Sequence, residues 1–371
     1  MTATSATDSG SNPLFIIALT PNGMALAKRL GNLLRGAGKL VTVWVPQDML
    51  ASDESHIPMT KGFHRLSSIM KQAFDAKNDL ICIMATGIVV RSIAPFLKRK
   101  DRDPAVLVLD EAGRFVISLL SGHLGGANTL ATEIAELLNA LPVITTASDV
   151  NRLPSMDVLA QREGLVIEDI KIVKRVQSAI LRHKPVCVVD ERGCLAPYLQ
   201  PYCLDNLHIS TTFPAPIPEI GVYVGCRTLS ALKNWLLLRP KELIVGLGCN
   251  RGTRAEEIKA AIEAVFRQFE LSLLCIKGLA SIDAKQDETG LLKAADIMKV
   301  EIVWYSREQL KDIETPNPSS IVKRHMGVAS VCEAAALLTA QNAGYKNPQL
   351  MIPKQKMGNV TVAVASTCSI S

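Results

Sequence analysis

The sequence predicts an α/β protein: an amino-terminal open, mostly parallel sheet with helices on both faces, a small α/β middle domain and a carboxy-terminal α/β domain. Three observations carry that expectation. Short apolar runs alternate with amphipathic stretches of helical period, the pattern of a parallel sheet covered by helices. Several apolar runs end in glycine or threonine just before a helical stretch, as in MATGIVV (84–90) and GLGCNRGT (246–253). The region from 151 to about 240 is less regular and holds a proline-rich passage, TTFPAPIPEI (211–220).

The elements follow in order. Residues 1–13, small and polar with no basic or apolar leader pattern, read as a disordered tail. FIIALT (15–20) is a strand, and Met24, Leu26, Leu30 and Leu33 then mark a helical stripe. LVTVWVP (40–46) and LICIMA (80–85) are strands around a helical SSIMKQAF. AVLVLD (105–110) and FVISLL (115–120), joined by EAGR, read as an appended hairpin, and PVITTASD (142–149) as a further strand. The first domain is therefore expected over 14–150. A middle domain over 151–240 holds a helical KIVKRVQSAILRH and a strand PVCVVD. A third, over 241–371, opens with ELIVGLG and the helical TRAEEIKAAIEAVFRQF, and ends in the strand NVTVAVA.

Composition narrows the function classes. A net charge of +6 without a polybasic run, and 4% aromatic residues, argue against nucleic-acid binding and suit an acidic small molecule. No apolar run reaches the length of a membrane span. Nine scattered cysteines form no C-x-x-C pair and read as reduced thiols of a cytoplasmic protein. No metal-ligand spacing is present, so no protein-bound metal is expected.

Four stretches could carry chemistry. In SGHLGGAN (121–128) a strand breaks into glycines and resumes as a helix with Leu130, Ile134, Leu137 and Leu138 on one face. The opening of such a helix has unpaired amides that suit an oxyanion, and glycines let a ligand approach the backbone. Ser121, His123 and Asn128 supply side chains beside Gly125 and Gly126, and His123 could act as a general base or acid. A turn whose glycines only satisfy backbone geometry explains the same residues. In MATGIVVRSIAP (84–95), Thr86 and Arg91 follow another strand end. If that strand is parallel to PVITTASD, both ends share one sheet edge, gathering Thr86, Arg91, Thr145, Thr146 and Asp149 around a crevice. A helix cap for Thr86 and an exposed charge for Arg91 are the plainer accounts. In GLGCNRGTRAEEI (246–258), Thr253 and Glu256 have capping-box spacing, as do Ser330 and Glu333. Cys249 reads there as a small apolar neighbour, and Arg251 as a carboxylate ligand. In LASIDAKQDE (279–288), a strand would turn Ser281, Asp283 and Lys285 to one face, either solvated or the wall of a site.

Together these stretches carry a family resemblance. The run from MATGIVVRSIAP through SGHLGGANTLATEIA to PVITTASD resembles the amino-terminal region of the CbiG family, the cobalt-precorrin-5A hydrolases of anaerobic cobalamin biosynthesis. GLGCNRGT, ASIDAKQDE, VKRHMGVASVCEAAAL and VTVAVA resemble that family's carboxy-terminal domain. Two positions depart from its pattern: Asn250 stands for a basic residue and Ser148 for threonine. The resemblance implies hydrolysis of the ring-A δ-lactone of a cobalt-containing tetrapyrrole, with release of acetaldehyde. It implies no cofactor, since the cobalt arrives with the substrate, and neighbouring cobalamin-pathway enzymes as partners. On that reading His123 activates water or shuttles the proton, the amides from Gly125 to Asn128 hold the oxyanion or the liberated carboxylate, and Ser121 and Asn128 orient the lactone. Ser121 as a covalent nucleophile is disfavoured by the absence of G-x-S-x-G. Arg91, Arg251 and Lys285 would hold peripheral carboxylates. A non-catalytic corrinoid carrier would use the same features. A nucleotide-binding regulator is disfavoured by the absence of a phosphate-loop signature.

Overall fold

The computed structural model describes residues 12–51, 59–99, 102–202, 204–317, 330–344 and 348–368. All but two residues of the expected tail, and the VKRHMGVA segment (322–329), lie outside them. Backbone packing groups the chain into two units, Met1–Val158 and Leu159–Ser371.

The first unit is built on seven strands: β1 (Leu14–Ala18), β2 (Val41–Pro46), β3 (Thr60–Phe63), β4 (Asp79–Ile83), β5 (Val106–Leu109), β6 (Phe115–Leu120) and β7 (Leu141–Val143). Their order across the sheet is β3-β2-β1-β4-β5-β6-β7. Its helices are α1 (Pro21–Gly36), α2 (Gln47–Ala51), α3 (Leu66–Ala76), α4 (Thr86–Ile93), α5 (Ala127–Leu138) and α6 (Ala147–Val150), and the first residues of α7 (Met156–Arg162) close the unit. Strand alternation sends Leu14, Ile16 and Ala18 into one core with α1 and α5 residues, and Phe15 and Ile17 into the other with α3 and α4 residues. Both faces are thus covered, as expected for a parallel sheet. Thr20 caps α1 by accepting from the Gly23 amide at 3.1 Å, with Pro21 at the first helical position.

The hairpin expected at 105–120 reverses the chain. Asp110 Oδ1 accepts the amides of Arg114 and Phe115, both at 2.8 Å, and Gly113 adopts φ +65° between them. β6 is therefore antiparallel to β5, while β7 is parallel to β6. The expected strand over 142–149 is only three residues long; Thr146 instead stands at the cap position just before α6.

The second unit carries two further sheets. One contains β8 (Val166–Ile167), β9 (Val186–Asp190), β10 (Leu207–Ser210), β11 (Gly221–Val224) and β12 (Trp235–Arg239), with α8 (Ile170–Leu181) and α9 (Ala196–Leu199) between its strands in sequence. The other contains β13 (Leu243–Cys249), β14 (Ile276–Ile282), β15 (Glu301–Tyr305), β16 (Leu350–Met357) and β17 (Val360–Ser366). Residues of α10 (Ala255–Gln268) and α11 (Thr289–Met298) fill one core against it, and the helix Val331–Asn342 fills another. That helix lies so close to β13 that a Cβ on Gly246 would overlap the Cys332 carbonyl, so only glycine fits.

Three local expectations fail here. Neither capping box forms: Arg254, not Thr253, precedes α10, and Thr253 donates to the Asn250 carbonyl at 2.7 Å. Ser330 precedes its helix without a side-chain cap, because Glu333 is fully buried and accepts from the Asn317 amide and side chain and from the Lys354 amide. Spacing fixes which groups can meet, but buried donors elsewhere outcompete the local partner. The strand over 279–288 ends at Ile282, and Asp283–Lys285 form a 3₁₀ turn. Ser281 points inward and donates to the Leu247 carbonyl at 2.8 Å.

Asp79, at the start of β4, is buried and accepts the Ala105 amide at 2.9 Å. Burial raises its pKa to about 6, against the opposing hydrogen bonds. The folded state then binds the extra proton between the ordinary carboxylate value and about 6, so stability falls as pH rises through that window. Asp79→Asn is expected to remove that fall, up to about 3 kcal/mol for a two-unit shift, as read by urea denaturation between pH 4 and pH 7.

Candidate functional site

The reversal at the β5–β6 hairpin decides where the glycine-rich turn lies. β6 ends beside the beginning of β5, with Leu120 paired to Val106. Ser121–Gly126 therefore sit at the edge where β1, β4 and β5 start, and Ser121 donates from Oγ to the Asp103 carbonyl at 2.9 Å. Ser121 has a left-handed φ of +59°, so this bond braces a conformation unfavourable for a residue with a side chain. A Cβ on Gly125 would lie 2.8 Å from the Ser121 carbonyl, and Gly126 opens α5 at φ +81°. Both glycines are required by the turn itself.

The turn takes up most of its own amides. Gly126 N–H donates to the His123 carbonyl at 2.8 Å, Ala127 N–H to Ser121 at 3.1 Å, and Asn128 N–H to Gly122 at 3.0 Å. Three of the four amides expected to face an oxyanion thus have internal acceptors, which leaves Gly125. Ser121, likewise, is a brace whose proton already has an acceptor.

Around His123 a dense polar cluster forms. Its Nε2 lies 3.0 Å from Asp149 Oδ2 and 3.0 Å from Ser148 Oγ. Its Nδ1 lies 3.1 Å from Ser155 Oγ and 3.9 Å from Asp157 Oδ1, and Ser155 donates to that same Asp157 oxygen at 2.5 Å. The His123 side chain is 23% exposed and that of Asp149 40%, whereas Asp157 is buried at 5%. Asn128, buried in the first turn of α5, joins the strands behind: Oδ1 accepts from Ser118 at 2.7 Å, and Nδ2 donates to Thr146 at 2.7 Å and to Asp149 at 3.1 Å. Thr146 also donates to Asp149 Oδ2 at 2.7 Å. Partial burial pushes the Asp149 pKa up, but hydrogen bonds from Thr146 and Asn128 and the neighbouring His123 ring, which donates to Asp149 when protonated, outweigh it and hold the carboxyl below its usual range. An anion therefore remains 3.0 Å from Nε2 of a partly exposed histidine.

The remaining candidates lie elsewhere. Thr86 begins α4 at the opposite edge of the sheet, where β4 ends, because the hairpin makes β7 run antiparallel to β4. It lines a cleft of about 390 Å³ with Met84, Leu109, Glu111, Phe115 and Val143. Arg91 is exposed and donates back to the Gly87 carbonyl of its own helix at 2.9 Å. The shared crevice expected for Thr86, Arg91 and Asp149 is therefore not formed; the structure joins only Thr146 and Asp149 to His123. Arg251 and Lys285 belong to the second unit and meet acidic partners there. Arg251 pairs with Asp287 at 2.8 Å and Glu288 at 3.5 Å, and Lys285, buried, pairs with Glu288 at 3.2 Å. Among the described residues no group of three or more histidine, cysteine or acidic side chains is arranged to hold a metal ion, and no helix is long and apolar enough to cross a membrane.

Ser148, Ser155 and Asp157 complete the cluster although residue type alone does not mark them. PSMD (154–157) lies beyond the expected domain end at 150, and its serine just before a helix is the one signal in the sequence, a capping one.

The same residues fall in stretches shared with known proteins. Residues 68–149 match the family described as Cobalamin synthesis G N-terminal, 154–240 the Cobalamin biosynthesis central region, and 243–365 the Cobalamin synthesis G C-terminus. A cobalt-precorrin-5A hydrolase of Priestia megaterium is 36% identical over 361 residues, 94% of each chain. The chain belongs to the cobalamin synthesis G family. A second member, the cobalt-precorrin-5A hydrolase of Salmonella typhimurium, is 34% identical over 88% of this chain and 91% of its own. A solved cobalamin biosynthesis protein G homologue from Sulfolobus solfataricus is 22% identical over 96% of this chain and 97% of its own, with a TM-score of 0.37.

Asn128→Asp would place a second carboxylate about 3.1 Å from Asp149. Two such groups cannot both ionise cheaply. The variant is expected to lose about 1–3 kcal/mol more stability at pH 7 than at pH 4, measured by urea denaturation at both pH values.

Proposed function

We propose that this chain is a cobalt-precorrin-5A hydrolase, opening the ring-A δ-lactone of its cobalt-containing tetrapyrrole with water and releasing acetaldehyde. The observation that carries this reading is similarity along 94% of the chain to a protein of that activity. The His123 cluster is the part of the first unit best suited to the chemistry.

Hydrolysis of a lactone needs a base for water and a place for negative charge on the attacked carbonyl. His123 Nε2 would take a proton from water as the water oxygen bonds to the lactone carbon. The imidazolium so formed lies 3.0 Å from the Asp149 carboxylate, which stabilises it. The Gly125 amide is the backbone donor left for the oxyanion. Collapse of the tetrahedral intermediate breaks the bond from the acyl carbon to the ring oxygen, and the imidazolium returns its proton to that leaving oxygen. The products of this step are a carboxylic acid, which loses its proton to solvent, and a hydroxyl on the former meso carbon. That hydroxyl then loses its proton as its oxygen becomes a carbonyl. The bond from its carbon to the macrocycle breaks with the electron pair kept by the macrocycle carbon, which takes up a proton, and the two-carbon fragment leaves as acetaldehyde.

The reading calls for no cofactor of the protein's own, because the cobalt belongs to the substrate. It also has the enzyme work in the cytoplasm beside neighbouring cobalamin-pathway enzymes. The eight described cysteines are all free thiols, consistent with a reducing compartment.

His123→Gln is expected to lower acetaldehyde release by about 100-fold to 10,000-fold while the protein stays folded; near-normal turnover contradicts the role given to His123. Arg91→Ala and Thr86→Ala, at the opposite sheet edge, are expected to keep turnover within about threefold of the wild type, as surface changes away from the reacting groups. Stoichiometric binding of the lactone without acetaldehyde would contradict the hydrolase reading itself.

A further inference from the structure

His123 has oxygen neighbours at both ring nitrogens, so its use as a base depends on which nitrogen holds the proton. Ser155 has one hydroxyl proton, directed at Asp157 Oδ1 at 2.5 Å. With that proton occupied, Ser155 Oγ can only accept from the imidazole nitrogen 3.1 Å away. Nδ1 must therefore carry hydrogen, and Nε2 of the neutral ring holds the lone pair. On the other side, Ser148 can donate to Nε2 at 3.0 Å, whereas the Asp149 carboxylate, at the same distance, can only accept. The neutral ring thus accepts from Ser148, and the protonated ring donates to Asp149.

We propose that Asp157, acting through the Ser155 hydroxyl, is a positioning residue that fixes the Nδ1–H tautomer and ring plane of His123, leaving Nε2 as the basic nitrogen beside Asp149. The inference rests on the hydrolase reading above. Asp157 is suited to the task by its burial at the start of α7, where it also accepts the Val158 amide at 3.1 Å. Asp149, more exposed, faces the nitrogen that changes protonation. The two carboxylates flanking the ring therefore have different duties, one orienting and one stabilising charge.

The test uses the full chain labelled with ¹⁵N-histidine, with the His123 signals assigned by their loss in His123→Gln. In the neutral form the wild type is expected to show a protonated Nδ1 and an unprotonated Nε2. Asp157→Ala removes the acceptor of the Ser155 proton, so that proton turns to Nδ1 and the tautomer reverses. That variant is expected to lose about 100-fold or more in kcat with KM within about threefold. Ser155→Ala, which only frees the ring, is expected to lose about 10-fold to 100-fold. Adding Ser155→Ala to Asp157→Ala is expected to raise kcat back to the Ser155→Ala level, which loss of packing alone would not do. A wild-type ring protonated at Nε2 overturns the proposal, as does Asp157→Ala with unchanged tautomer or unchanged kcat. Wild-type turnover in His123→Gln would instead sink the catalytic reading while leaving the tautomer result standing.

Discussion

The arrangement of the first unit depends on one reversal of chain direction. At Asp110 a carboxylate gathers the amides of Arg114 and Phe115, and β6 returns antiparallel to β5. Without that turn, SGHLGGAN would follow a strand running with β4 and β5 and lie at their carboxyl ends, the edge at which open α/β sheets ordinarily bind ligands. With it, the turn and the segment after β7 meet where β1, β4 and β5 begin. The apolar cleft containing Thr86 occupies the other edge. One hairpin thereby separates two groups of residues that sequence spacing alone would combine.

At the chosen edge, polarity is organised in layers. Ser118, Asn128 and Thr146 form a hydrogen-bonded brace that ends on Asp149 Oδ2. The brace keeps Asp149 ionised despite partial burial, and a fixed anion next to an imidazole costs little reorganisation when the ring gains a proton. The glycines serve the same end indirectly: Gly125 lets the chain pass Ser121, and Gly126 lets α5 start where Asn128 reaches the brace. Their value is geometric, since most amides of the turn bond within it.

Much of this fold was legible in the sequence because strand and helix periods are local. The runs at 15–20, 80–85, 105–110 and 115–120 became β1, β4, β5 and β6, and the hairpin was readable from its apolar flanks and EAGR. The direction of β7 was not, since it depends on pairing with β6 and not on Leu141–Val143. His123, Asn128 and Asp149 could be named from residue type and position, but their contacts could not. Ser148, Ser155 and Asp157 escaped because a serine's role depends on what its single proton faces. Arg251 and Lys285 looked like free cations in the sequence; the acidic partners Asp287 and Glu288, two and three residues beyond Lys285, take up their charge.

On the proposed function, the reacting lactone would lie at the edge where β6 ends and the segment after β7 returns. Hydrogen–deuterium exchange of the full chain with and without the lactone substrate tests that placement directly. Slowed exchange over 121–128 and 145–149, with 84–91 unchanged, is the predicted result. Protection confined to 84–91, around the cleft at the opposite edge, would contradict it.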